Sequence, residues 1–229
     1  MTRAAPYIRG LYPLLSDDLV PLAELIAYAL RLSPFVSVLQ LRFKRMSDHD
    51  ANILTRATCS ALSDWKGLLV INDRPDLLKM VLAADIPRPA LGLHLGQDDL
   101  PPKLARDLLG PDVIIGYSTH TLEQVQDALA EPVDYLGFGP VFGTTTKENP
   151  DPVVGVERLA EAAKISHLPV VAIGGLDAPR ARLCLDAGAK AAAVVSALFG
   201  NLPRTEDALE ARLIPFAERD LIPSGAPQP

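Results

Sequence analysis

Leu68-Leu69-Val70-Ile71-Asn72 is an unbroken apolar run closed by an amide, and Asp76 to Leu82 follows it with helical spacing. A strand apolar on both faces suits a sheet covered on both sides, and a helix directly after it suits a crossover to a parallel neighbour. The same couplet recurs in both directions along the chain. Strands are read near Ile8 to Leu14, Ser37 to Arg42, Leu91 to Leu95, Val113 to Tyr117, Tyr135 to Phe138, Val170 to Ile173 and Ala192 to Val195. Helices are read over Val20 to Leu32, Asp48 to Leu62, Pro102 to Leu109, Leu122 to Ala130, Val156 to Ala163, Ala178 to Ala187 and Thr205 to Glu218. Ser47, Thr121 and Asp177 stand where N-caps are expected.

About eight βα units predict an α/β protein, a single-domain (β/α)8 TIM barrel, lean beside the roughly 250 residues typical of that fold. An open doubly wound sheet is the runner-up. No linker-like shift in composition divides the chain, so one barrel is expected over residues 7–219. Residues 1–6 read as an N-terminal tail, and residues 220–229 as a flexible C-terminal tail with no role in the core.

The chain has 229 residues, 48% of them hydrophobic, and a formal net charge of -6. That is enough apolar material for a large core, and scattered basic residues in an acidic chain argue against a nucleic-acid surface. Cys59 and Cys184 are two cysteines far apart, each within a helical segment, and are expected as free buried thiols. Met1 to Ala5 lacks a signal pattern, and Ala191 to Phe199 is shorter than the roughly 20 residues a membrane helix needs. A cytoplasmic protein with no membrane partner is expected, and homo-oligomerisation is left open.

In a parallel barrel the functional groups gather at the carboxyl ends of the strands. The second strand ends in Gln40-Leu41-Arg42-Phe43-Lys44, where alternation sends Gln40, Arg42 and Lys44 to one face and Leu41 and Phe43 to the other. The third ends in Asn72-Asp73-Arg74 and the fourth in His94-Leu95-Gly96-Gln97-Asp98-Asp99. Asp73 with either Asp98 or Asp99 could hold Mg2+, a cation content with one or two carboxylates when substrate phosphates supply further oxygens. His94, between two leucines, could serve acid–base chemistry, although a histidine so placed is more often a hydrogen-bonded structural residue, and its role is left open.

The fifth strand ends in Gly116-Tyr117-Ser118-Thr119-His120. The sixth leads into Gly137-Phe138-Gly139-Pro140-Val141-Phe142-Gly143-Thr144-Thr145-Thr146-Lys147, a loop of glycines, hydroxyls and one lysine suited to an anion. Ile173-Gly174-Gly175 and Val195-Ser196 end the last two strands and suit a backbone phosphate cup. Two anion sites result. One, with Arg42, Lys44, Asn72, Lys147 and Mg2+, fits a diphosphate; the other, neutral, fits a monophosphate.

Taken in order, these motifs resemble the thiamine phosphate synthase family from about Leu11 to Leu198. The resemblance implies a transferase that joins hydroxymethylpyrimidine diphosphate to thiazole phosphate, or its carboxylated form, giving thiamine phosphate and diphosphate. It further implies that Gln40, Arg42, Lys44, Asn72, Ser118 and Lys147 hold the pyrimidine diphosphate. Arg42, Lys44, Ser118 and Lys147 are the groups implied to act on the leaving group, and Asp73 and Asp99 to carry Mg2+. Thr144, Thr145, Thr146, Gly174, Val195 and Ser196 are implied to hold the thiazole phosphate. Three departures are visible: Phe43 where the family commonly has Glu, Pro13 in the first strand, and the longer approach Asp85 to Ala90. The alternatives are a related thiazole tautomerase and a catalytically silent phosphate-binding barrel. Retention of Asn72-Asp73 and of Asp99 favours the synthase.

Overall fold

The computed structural model describes residues 2–144, 152–200 and 206–222. Eight strands close into one barrel in sequence order, each pair parallel. They are β1 (Gly10–Ser16), β2 (Val38–Arg42), β3 (Leu68–Asn72), β4 (Ala90–Leu95), β5 (Ile114–Thr119), β6 (Tyr135–Phe138), β7 (Val170–Ile173) and β8 (Ala191–Val194). The helices are α1 (Leu22–Leu32), α2 (Asp48–Ala61), α3 (Pro75–Ala83), α4 (Pro102–Leu109), α5 (Leu122–Ala128), α6 (Gly155–Ile165), α7 (Ala178–Asp186), α8 (Ser196–Phe199) and α9 (Glu206–Ala217).

Alternation along the strands divides the core in two. Val38, Leu68 and Val70 belong to the inner cluster, with Leu14, Ile114 and Val171. Their neighbours Leu39, Leu41, Leu69 and Ile71 belong to the cluster shared with the helices, which includes Leu25, Leu78 and Val125. That is why β3 reads as an unbroken apolar run: both of its faces are buried. The expected caps are in place. Ser47 Oγ accepts from Asp50 N, Thr121 Oγ1 from Gln124 N and Asp177 Oδ1 from Arg180 N, each satisfying an amide that a helix start leaves without a partner. Cys59 and Cys184 are free and buried, and burial pushes both thiols up to about 12.

Both tail assignments need correction where the chain is described. At the amino end, Ala4 and Ile8 are buried in the inner cluster, and Arg3 pairs with Asp134 at 2.8 Å. These residues plug the barrel floor. The apolar Ile8 therefore belongs to the plug, and β1 starts two residues later than its hydrophobicity suggests. At the other end Leu221 is fully buried, and its carbonyl accepts from Leu11 N at 2.8 Å. Full burial of a leucine is worth about 1.5–3 kcal/mol, so this residue contributes to the core. Residues 223–229 lie outside the described set.

Candidate functional site

A cavity of about 590 Å³ opens at the carboxyl ends of the strands. Its wall includes Gln40 and Arg42 from β2, Asn72 and Asp73 at the end of β3, and Asp98 and Asp99 after β4. Ser118 from β5, Thr144, Gly174 after β7, and Val195 and Ser196 after β8 complete the predicted set found there.

Lys44 is not in that wall. The strand ends at Arg42, so alternation no longer governs residues 43 and 44. The loop is turned by Asp17, whose carboxylate accepts from the amides of Lys44, Arg45 and Met46 at 2.8, 2.9 and 2.9 Å. The Lys44 ammonium meets Asp18 at 3.2 Å. Phe43 packs against the outer core, away from the cavity. Thr145, Thr146 and Lys147 lie outside the described residues.

Asp73 and Asp99 form a carboxylate pair. Asp73 sits at φ 59°, a left-handed conformation that Asp tolerates better than most residues. Asn72 Nδ2 donates to its Oδ2, and Gly96 N donates to Asp99 Oδ2 at 2.6 Å. Burial, then the hydrogen bond and negative charge of Asp99, hold Asp73 well above the usual carboxylate range, against the opposing pull of Arg42. Two crowded carboxylates of this kind suit a divalent cation. No cluster of three or more His, Cys, Asp or Glu able to hold a metal occurs among the described residues.

The opposite wall is built from backbone. Gly174 and Gly175 have φ of 104° and 63°, and a Cβ on Gly174 would lie 2.5 Å from Pro140 Cβ, so only glycine lets the β7 loop close against the β6 loop. Beside them α8 begins at Ser196 with Val195 as its N-cap and no side-chain cap.

Across the barrel, beneath both walls, runs a set of contacts that sequence reading missed. Gln40 Nε2 donates to Tyr12 OH at 2.9 Å, Tyr12 OH meets Tyr135 OH at 3.0 Å, and Tyr135 OH meets His94 Nδ1 at 3.0 Å. His94 Nε2 meets Ser118 Oγ at 2.9 Å. Burial pushes His94 down to about 4, with Asp99 opposing, so the imidazole is neutral at pH 7. Burial raises both tyrosines above their ordinary value and keeps them protonated. Gln97 Nε2 also donates to the Ser118 carbonyl.

Residues 11–198 match the family model described as thiamine monophosphate synthase. The chain belongs to that family. The thiamine-phosphate synthase of Koribacter versatilis (strain Ellin345) is 43% identical over 164 residues, covering 72% of this chain and 74% of that protein. That of Anaeromyxobacter dehalogenans (strain 2CP-C) is 43% identical over 158 residues, covering 68% of each. The one from Synechococcus sp. (strain CC9605) is 44% identical over 164 residues, but the match spans only 44% of its length. Among solved structures, the thiamine phosphate pyrophosphorylase of Pyrococcus furiosus superposes with a TM-score of 0.74 at 29% identity, covering 93% of this chain and 96% of that one. A tryptophan synthase α-subunit from the same organism reaches 0.70 at 14% identity, a likeness of fold alone.

Proposed function

We propose that this chain is a thiamine phosphate synthase, condensing hydroxymethylpyrimidine diphosphate with thiazole phosphate to thiamine phosphate and diphosphate, or with its carboxylated form to the same products and CO2. The observation that carries the reading, beside family membership, is the Asp73–Asp99 pair facing a cavity that also holds Gln40, Arg42, Asn72 and Ser118.

Gln40 supplies the ring contact. Its Oε1 is buried and has no hydrogen-bond partner among the described residues. A buried acceptor left empty costs about 1–3 kcal/mol, and an N–H on a bound heterocycle would satisfy it. Arg42, Asn72 and Ser118 would hold the diphosphate, with Lys147 in the same role and Lys44 reaching it from the rim by exchanging its Asp18 partner. Asp73 and Asp99 would carry Mg2+, which when bound supplies positive charge to the diphosphate. Thr144, Thr145, Thr146, Gly174, Val195 and Ser196 would seat the thiazole phosphate.

The reaction is dissociative. The bond between the methylene carbon and the diphosphate oxygen breaks, the electron pair leaves with the diphosphate, and the pyrimidine stabilises the methylene cation. The thiazole nitrogen lone pair then forms the new C–N bond. No general base is needed. What the residues provide is charge and donors where negative charge grows, and a second substrate held within reach.

Incubating the purified protein with both substrates and Mg2+ is expected to yield one thiamine phosphate and one diphosphate per turnover, and chelation is expected to stop it. A folded, Mg2+-supplied protein that forms no thiamine phosphate would remove the reading.

A further inference from the structure

Every contact from Gln40 to Ser118 joins a different pair of strands: β2 to β1, β1 to β6, β6 to β4, and β4 to β5. The sequence makes room for it at two glycines. A Cβ on Gly116 would lie 2.1 Å from the Tyr135 ring, and one on Gly137 would lie 3.2 Å from His94 Cε1. Glycine weakens a strand interior, so its presence at both positions marks a close approach that the fold maintains.

Proton counting gives these contacts one direction. Gln40 Nε2 can only donate, so Tyr12 OH accepts there and has a single proton left to give. Its remaining contact is Tyr135 OH. If Tyr135 donated to Tyr12 instead, the Tyr12 proton would be buried without an acceptor, at a cost of about 1–3 kcal/mol. Tyr12 therefore donates to Tyr135, and Tyr135 donates to His94 Nδ1. An imidazole that accepts at Nδ1 carries its proton on Nε2 and donates it to Ser118 Oγ. Ser118 Oγ, already an acceptor from the histidine, has its own proton free to turn into the cavity that it lines.

We propose that Tyr12, Tyr135 and His94 are positioning residues. They form a one-way hydrogen-bond relay that links Gln40, on the ring-binding wall, to Ser118 and keeps the Ser118 hydroxyl proton aimed into the cavity as a donor to the departing diphosphate. No proton is transferred along it. The relay fixes which group donates before the bond breaks, so no reorientation is needed as charge develops. It also ties the two ends together: an N–H on the ring that occupies Gln40 Oε1 holds the amide with Nε2 toward Tyr12. A flipped amide would reverse every donor in the chain, leaving Ser118 to donate to His94 and not to the ligand.

The role at the diphosphate rests on the proposed synthase activity, whereas the direction of the relay does not. Two measurements keep them apart. The first is the 15N spectrum of the imidazoles in the full chain without ligand at pH 7.5, with the His94 signals assigned from a His94→Asn variant. Protonated Nε2 and bare Nδ1 are expected; a proton on Nδ1 overturns the proposal, and no turnover is needed to see either. A bare Nδ1 in a protein that makes no thiamine phosphate would leave the relay standing and remove the activity.

The second is a double-mutant cycle. Ser118→Ala is expected to lower kcat about 100-fold, the scale for losing one aimed donor. Tyr135→Phe is expected to lower kcat about 10-fold with KM for either substrate changed less than about 2-fold, and to cause no further loss in the Ser118→Ala background. Multiplied losses in the double variant would make Tyr135 a packing residue and overturn the proposal. Should Tyr135→Phe fail to fold, the wild-type spectrum decides alone.

Discussion

The two sides of the cavity mouth are built by different means. On the β2 to β5 side, Arg42, Asn72, Asp73, Asp99 and Ser118 present side chains, two of them carboxylates that oppose each other's charge. On the β7 and β8 side, Gly174, Gly175 and the start of α8 present backbone, with Ser196 adding one hydroxyl. A side chain can be removed by substitution and a metal by chelation. A backbone cup can be disturbed only by changing its shape. The difference suits a diphosphate that must leave and a monophosphate that stays with the product.

The strongest way to break this contrast is Asp99→Ala, which is expected to lower kcat/KM about 1,000-fold under limiting Mg2+ while leaving thiazole phosphate binding nearly intact. Equal losses for both ligands in calorimetric titrations would mean that the two sides are not separate sites. The seam between them should be neutral. His94 carries a folded pKa near 4 against an ordinary 6.5. The unfolded chain therefore binds the proton first as pH falls, and stability present above about 6.5 is lost on the way to 4. Between pH 7.5 and pH 5 this amounts to about 2 kcal/mol, to be read as the difference in urea midpoints between wild type and His94→Asn at the two pH values.

A smaller effect belongs to the backbone side. Ser196→Ala removes a hydroxyl and leaves the amides, so a rise of about 10-fold in KM for the thiazole phosphate with unchanged kcat is expected. A kcat defect would place Ser196 with the leaving group. Lys44→Ala should do least, less than about 5-fold in kcat/KM, because its ammonium must give up Asp18 before it can reach the diphosphate from the rim. A loss as large as that of Arg42→Ala would show that Lys44 swings fully into the cavity.

The barrel was legible because each unit carries its own local signal. Leu68 to Asn72 is apolar on both faces, and Pro102 to Leu109 begins and ends at its observed limits. Ile8 misled because burial against a barrel floor and burial in a strand leave the same mark in a sequence. Lys44 misled for a related reason: period-two reasoning has no means of knowing where a strand stops. The relay was illegible for another cause. Tyr12 and Tyr135 are 123 residues apart and each passes for an ordinary strand aromatic. The one clue lay in the glycines, since Gly116 and Gly137 interrupt strands that otherwise favour bulk. His94 was legible as a hydrogen-bonded residue, though its partners were not.

The carboxylate of Asp17 accepts from three successive amides of the loop after β2. Consecutive amides turned to one point make a seat for an anion, and here the chain has filled that seat with its own charge. The seat those three amides make is taken before any ligand arrives. The loop needs no visitor to take its shape, because the molecule's own anion already holds it.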